Sequence, residues 1–183
     1  MVTMLGACAS GLSAKNVPTK GNQAKTRDTA VSAPVRTARG WREARILSPS
    51  SPLQCVPYAR KVTGVAIWGD AWTWWRTAEG RYRKSAAPFV GSILAFKRTQ
   101  RLRLGHVAVV TMILNKREIV VEHANWLNRG RIHISTPVRD VSKANDWSRV
   151  RVWYTPGRRY GAGVYPTRGF ILPEHRVSAL IAQ

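Results

Sequence analysis

A cysteine, two histidines and an amide residue stand at spacings that suit nucleophilic chemistry. Cys55 lies in Gln54-Cys55-Val56-Pro57-Tyr58-Ala59-Arg60. Leu53 to Gly64 reads as a helix: Pro57 falls in the first turn, where its missing N–H has no partner to lose, and Gly64 ends it. Cys55 then opens the helix, where unpaired N–H groups and the positive end of the dipole favour an anion. That position predicts a lowered thiol pKa and a nucleophilic thiolate. Gln54, just before it, offers a side-chain N–H to an oxyanion. The bland alternative is a buried cysteine packing as a small hydrophobe.

A thiol nucleophile needs a base and a group to orient that base. His106, in Gly105-His106-Val107-Ala108-Val109-Val110, is a polar residue interrupting an apolar strand, next to a glycine that permits close approach. The next strand ends Val121-Glu122-His123-Ala124-Asn125-Trp126. By alternation His123 and Asn125 share the face of Val121, while Glu122 and Trp126 point the other way. His123 or Asn125 is therefore the expected partner of His106, and Glu122 serves only if a bulge resets the alternation. His133 and His175 have no carboxylate or cysteine at ligand spacing and read as surface residues, and the chemistry calls for no metal or other cofactor. Clustered aromatics are more often core than cleft, because each buries a large area. Of Tyr58, Trp68, Trp74, Trp75 and Trp126, we expect Tyr58, Trp75 and Trp126 to border the substrate groove.

These residues need a scaffold. A second helix is expected over Asp70 to Ala78, with Asp70 as N-cap and Gly80 as stop. Short apolar runs at Gly91–Lys97, Leu104–Leu114, Arg117–Ala124, Arg131–Ser135 and Arg149–Tyr154 read as strands, and Asn115-Lys116 as a hairpin turn. Helices followed by hairpin strands give an α+β domain with a mostly antiparallel sheet. Residues 52–155 are the expected catalytic domain. Residues 15–51, rich in Lys, Arg, Ser, Thr, Ala and Pro, read as a basic flexible linker, in which Gly40 to Leu47 alone can dock on the domain. Residues 156–183 are an extension of no assigned role. Residues 1–14 resemble the end of an export signal, or a lipobox with a lipidated Cys8, and suggest a protein of the periplasm, cell envelope or exterior.

With 183 residues, 44% hydrophobic content and eight Trp, the chain suits one folded domain with tails, not a disordered polycation. Two cysteines make no disulfide framework, and no apolar run is long enough for a transmembrane helix. The net charge of +21 comes from 30 Lys plus Arg against 9 Asp plus Glu. The excess is spread along the whole chain and accompanies no DNA- or RNA-binding motif, which disfavours nucleic acid as the partner.

Taken in order, Gln54 to Arg60, Gly69-Asp70-Ala71, Gly91 to Phe96, Gly105 to Val110 and His123-Ala124-Asn125-Trp126 resemble the CHAP family of cysteine amidohydrolases and peptidases over about residues 50–155. The resemblance implies a papain-like α+β fold, with the helix carrying the cysteine packed on a small antiparallel sheet or barrel. It also implies cleavage of amide bonds in bacterial peptidoglycan, with Cys55 as nucleophile and His106 as base. His123 stands where that family usually has Glu, which leaves His123 and Glu122 as rivals for the third position. The same machinery suits an amidase for a small γ-glutamyl or polyamine conjugate. The rivals from another class are a non-catalytic basic protein that binds the envelope and one that binds nucleic acid.

Overall fold

Two short helices and nine strands make up the computed structural model, which describes residues 43–127 and 129–174. The leader-like segment with Cys8, the linker as far as residue 42, and His175 lie outside the described residues. In chain order the elements are β1 (Arg45–Leu47), α1 (Cys55–Thr63), a 3-10 turn (Ala71–Thr73) leading into α2 (Trp74–Thr77), β2 (Arg83–Ser85) and β3 (Ile93–Phe96). There follow β4 (His106–Asn115), β5 (Glu118–Ala124), β6 (Ile132–Asp140), β7 (Arg149–Tyr154), β8 (Arg159–Tyr160) and β9 (Tyr165–Leu172).

The strands pair antiparallel in the order β1-β6-β5-β4-β3-β9-β7-β8. Because β7 also pairs β6, the strands β3, β4, β5, β6, β7 and β9 close into a barrel. Closure removes the open edges of the sheet. The β4–β5 hairpin forms as the sequence predicts but turns one residue later, at Lys116-Arg117, because Asn115 still pairs Glu118 and its Oδ1 accepts the Arg117 N–H at 2.9 Å.

Alternation sorts the side chains into two cores. Leu94, Phe96, Ala108, Val110, Val121, Phe170 and Leu172 pack together with Trp147, Val150 and Val152. The intervening residues Ile93, Ala95, Val107, Val109 and Ile171 pack with Ala59 of α1 and Trp74 of α2. This second layer fixes α1 against β4. Each fully buried residue such as Ile93 or Ile67 (0% exposed) stabilises the domain by roughly 1.5–3 kcal/mol.

The structure corrects four expectations. β9 pairs β3, β7 and β2, so the domain runs past residue 155 to Leu172. Pro166, Arg168 and Gly169 interrupt the apolar pattern of this strand and hide it from a periodicity reading. β6 continues through Asp140 rather than stopping at Ser135. Arg45–Leu47, placed in the flexible linker, is a strand on β6, in line with the docking expected for Gly40–Leu47. The second helix is shorter than expected, and the Asp70 side chain makes no cap hydrogen bond. Thr73 and Thr77 hydroxyls instead donate to the carbonyls of Asp70 and Thr73, a pattern that weakens a helix. Among the described residues no helix is long and apolar enough to cross a membrane.

Candidate active site

Cys55 is the first residue of α1, as its sequence context requires. Gly64 ends the helix in the left-handed conformation and donates its N–H to the Arg60 carbonyl at 2.8 Å. Cys55 is half-buried against the core cluster that joins the helices to β3, β4 and β9, and its thiol takes hydrogen bonds from backbone N–H groups, chiefly that of Val107. Burial nevertheless outweighs these bonds and raises the thiol pKa above its ordinary value. The lowered pKa expected from the helix N-terminus is thus overturned, because desolvation of the thiolate exceeds the pull of the N–H groups.

His106 is the first residue of β4, directly after Gly105. Gly105 has φ +70°, and a Cβ there would lie 2.6 Å from the Trp72 backbone nitrogen, so only glycine fits. The same crossing is closed by the Trp72 N–H, which donates to the Leu104 carbonyl at 3.0 Å. Register pairs His106 with Phe96, whose ring meets the imidazole edge-on at 5.6 Å.

His106 Nε2 lies 2.9 Å from His123 Nδ1, and both rings are buried. Trp126 covers the pair, with its ring centroid 4.9 Å from His106 and 5.3 Å from His123. Tyr165 of β9 packs on Trp126 at 4.9 Å. Burial in this aromatic surround lowers the His106 pKa to about 3 and drives that of His123 well below its ordinary value. Both rings are neutral at physiological pH.

The remaining candidates divide. Glu122 accepts the Tyr58 hydroxyl of α1 at 2.9 Å, and His123, not Glu122, is the residue within hydrogen-bond distance of His106. Tyr58 is therefore buried in that pair rather than lining the groove. Trp75 packs in the α-helical core beneath the Lys84 ammonium and also stays out of the cleft. Asn125 does not touch His106. β5 ends at Ala124 and Asn125 turns out at φ +60°, which carries Trp126 onto the His123 side, against strict alternation.

Asn125 has another partner. Its Nδ2 donates to Gln54 Oε1 at 2.6 Å while its Oδ1 accepts the Gly130 N–H at 2.9 Å. Gly130 in turn accepts the Leu53 N–H at 3.0 Å. A Cβ on Gly130 would lie 2.5 Å from Pro52 Cα, so the loop after β5 is pressed directly on the segment before α1. The Gln54 side chain makes no cap hydrogen bond to the helix. With Oε1 held by Asn125, Gln54 Nε2 is left to meet a negative oxygen, beside the Cys55 and Val56 N–H groups that point at the thiol.

Cys55 and His106 both line a cleft of about 890 Å³, together with Gln54, Asn125, Trp126 and Asp70. Arg101, Arg103, Arg159, Tyr154 and Tyr165 extend its walls. The sequence reading passed over Phe96, Tyr165 and these arginines, because nothing local ties them to the cysteine. It also placed His133 on the surface, whereas that ring is 1% exposed.

The arrangement brings a thiol, an imidazole held by a second imidazole, and converging N–H donors to one concave surface. Residues 48–125 match the family model of the CHAP domain. The CHAP match covers α1, β4 with His106 and β5 with His123, and it stops at Asn125. β6 to β9, which complete the barrel, lie beyond the CHAP match. No curated protein matches the chain.

Proposed function

We propose that this chain is a cysteine-dependent hydrolase that cleaves amide bonds in bacterial peptidoglycan, as an amidase or a cross-link endopeptidase. The observation that carries this reading is that Cys55 and His106 line one cleft, with one ring nitrogen of His106 held by His123 at 2.9 Å. The papain-like arrangement and the substrate class rest on the CHAP match.

In this reading the resting pair is neutral, thiol beside imidazole, because burial opposes either charge. As Cys55 Sγ bonds to the amide carbonyl carbon, its proton passes to His106 Nδ1, and the carbonyl oxygen becomes the oxyanion. The Cys55 N–H and Gln54 Nε2 receive that oxygen. His106 then gives the proton to the amine nitrogen as the C–N bond breaks and the thioester is left. Water, deprotonated by His106, attacks the thioester, and the departing sulfur recovers a proton. His123 Nδ1 accepts from His106 Nε2 throughout and keeps the working nitrogen aimed at sulfur.

Arg101, Arg103 and Arg159 suit the same substrate. None of the three takes part in an ion pair among the described residues, and each lines the cleft, where the free carboxylates of peptide stems would meet them. A wall polymer as substrate implies work in the cell envelope or outside the cell.

Purified sacculi should lose turbidity with the wild-type chain and keep it with Cys55→Ala, and mass spectrometry of the released muropeptides names the bond. Equal clearing by both proteins would sink the cysteine mechanism. Binding to sacculi without release of any fragment by either protein would leave the non-catalytic envelope binder in its place.

A further inference from the structure

We propose that His133 is a positioning residue of this site, accepting a hydrogen bond from His123 Nε2 and so holding His123 in the tautomer that serves His106. The inference rests on the catalytic reading of Cys55 and His106 and extends it to a strand that the CHAP match does not reach.

Proton transfer sets the requirement. A neutral His106 that is to accept a proton at Nδ1 carries its own proton on Nε2. It therefore donates across the 2.9 Å contact, and His123 Nδ1 must be bare. A neutral His123 with a bare Nδ1 holds its proton on Nε2. That atom is fully buried and has no hydrogen-bond partner. An orphaned buried donor is costly, and turning the ring over or moving the proton to Nδ1 would relieve it at the expense of His106.

His133 answers the requirement. It stands directly opposite His123 in the β5–β6 register, and its other cross-strand neighbour is Ile46 of β1. Its ring is buried, and both of its nitrogens also lack partners. The His123 and His133 centroids lie 5.3 Å apart at 75°, close to the 5.0 Å and 78° of the His106–His123 pair, which is already hydrogen-bonded. A small side-chain rotation therefore makes a second N–H to N bond and satisfies two of the three orphaned nitrogens. The charged neighbour that bears on His133 is Arg131, just ahead of β6, and it favours the neutral ring that an acceptor needs. Glu122, the carboxylate closest in sequence to His123, is committed to Tyr58. The base is thus backed by a run of imidazoles.

The test combines nitrogen-15 spectra of the histidine rings with kinetics on sacculi. In the wild type, His123 should be the Nε2–H tautomer with a hydrogen-bonded Nε2 proton. In His133→Leu it should shift toward Nδ1–H, with kcat down about 10- to 100-fold and KM within about twofold. His133→Gln, which keeps an acceptor, should recover most of the rate and the tautomer. A wild-type His123 protonated on Nδ1 would overturn the proposal, even if His133→Leu failed to fold. So would a folded His133→Leu with unchanged tautomer and rate. The spectra need no turnover, so they judge His133 independently of the Cys55→Ala comparison that judges the hydrolase reading.

Discussion

His106 Nε2 and His123 Nδ1 meet at 2.9 Å beneath the ring of Trp126, so the neighbour of the proposed base is a neutral imidazole. A carboxylate in that place would stabilise an imidazolium by charge. A neutral ring offers only a hydrogen bond, and the buried pair accordingly resists protonation.

That partnership separates two carboxylate and imidazole rivals. His123→Ala should lower kcat/KM on muropeptides by about 10²–10⁴-fold, since His106 loses the group that holds its orientation and tautomer. Glu122→Gln should stay within a few-fold of wild type. Tyr58→Phe, which strips a donor from the half-buried Glu122, should cost about 1–3 kcal/mol in a urea melt and little in rate. A larger loss for Glu122→Gln than for His123→Ala would reverse the assignment.

Thiol reactivity tests the neutral resting pair. Burial raises the Cys55 pKa, so the thiolate fraction at neutral pH is small and grows as pH rises. With Cys8→Ser removing the second thiol, iodoacetamide alkylation should accelerate through and beyond pH 8.5, the ordinary cysteine value of about 8.5 being the reference. A flat, fast rate below pH 6 would instead reveal a thiolate paired with an imidazolium.

Asn125 and Gln54 should behave as one unit, because the amide of Asn125 orients that of Gln54 across 2.6 Å. Asn125→Gly, chosen because the position has φ +60°, should reduce kcat about 10-fold, and Gln54→Ala about 10²-fold. The double variant should be no worse than Gln54→Ala alone. Additive losses would show two separate functions.

Acid should destabilise the domain through the same histidines. Their folded pKa values lie below the ordinary value of about 6.5, at about 3 for His106 and about 4 for His133, so the unfolded chain binds more protons in the interval. Stability is complete above about pH 6.5 and falls as pH drops toward 4, by up to about 1.4 kcal/mol per pH unit for each buried histidine. Glu118, held low by Arg139, adds its loss only further down, in the carboxylate range. Urea midpoints taken between pH 7 and pH 5 give the slope, and a flat profile would contradict the buried neutral rings.

Much of this was local enough to read in advance. Pro57 and Gly64 bracket α1 and put Cys55 at its start, and the polar break at Asn115-Lys116 marks the β4–β5 hairpin to within one residue, because caps and tight turns depend on a few adjacent residues. Period-2 alternation likewise put His106 on a mostly buried strand and His123 on the next. Alternation failed where the strand stopped: Asn125 at φ +60° reverses the expected side of Trp126.

The sequence by itself therefore determined the place of Cys55 at the start of a helix, that of His106 on a strand and the order in which they arrive. Tertiary structure decided that His123 rather than Glu122 or Asn125 meets His106, that Tyr58 is paired with Glu122, and that Asn125 bonds Gln54. It also closed the barrel through β7 and β9 and buried His133 opposite His123. The physical reason is distance along the chain. Hydrogen bonds such as Tyr58 to Glu122 join residues 64 apart, and their partners are chosen by packing, which no local period encodes.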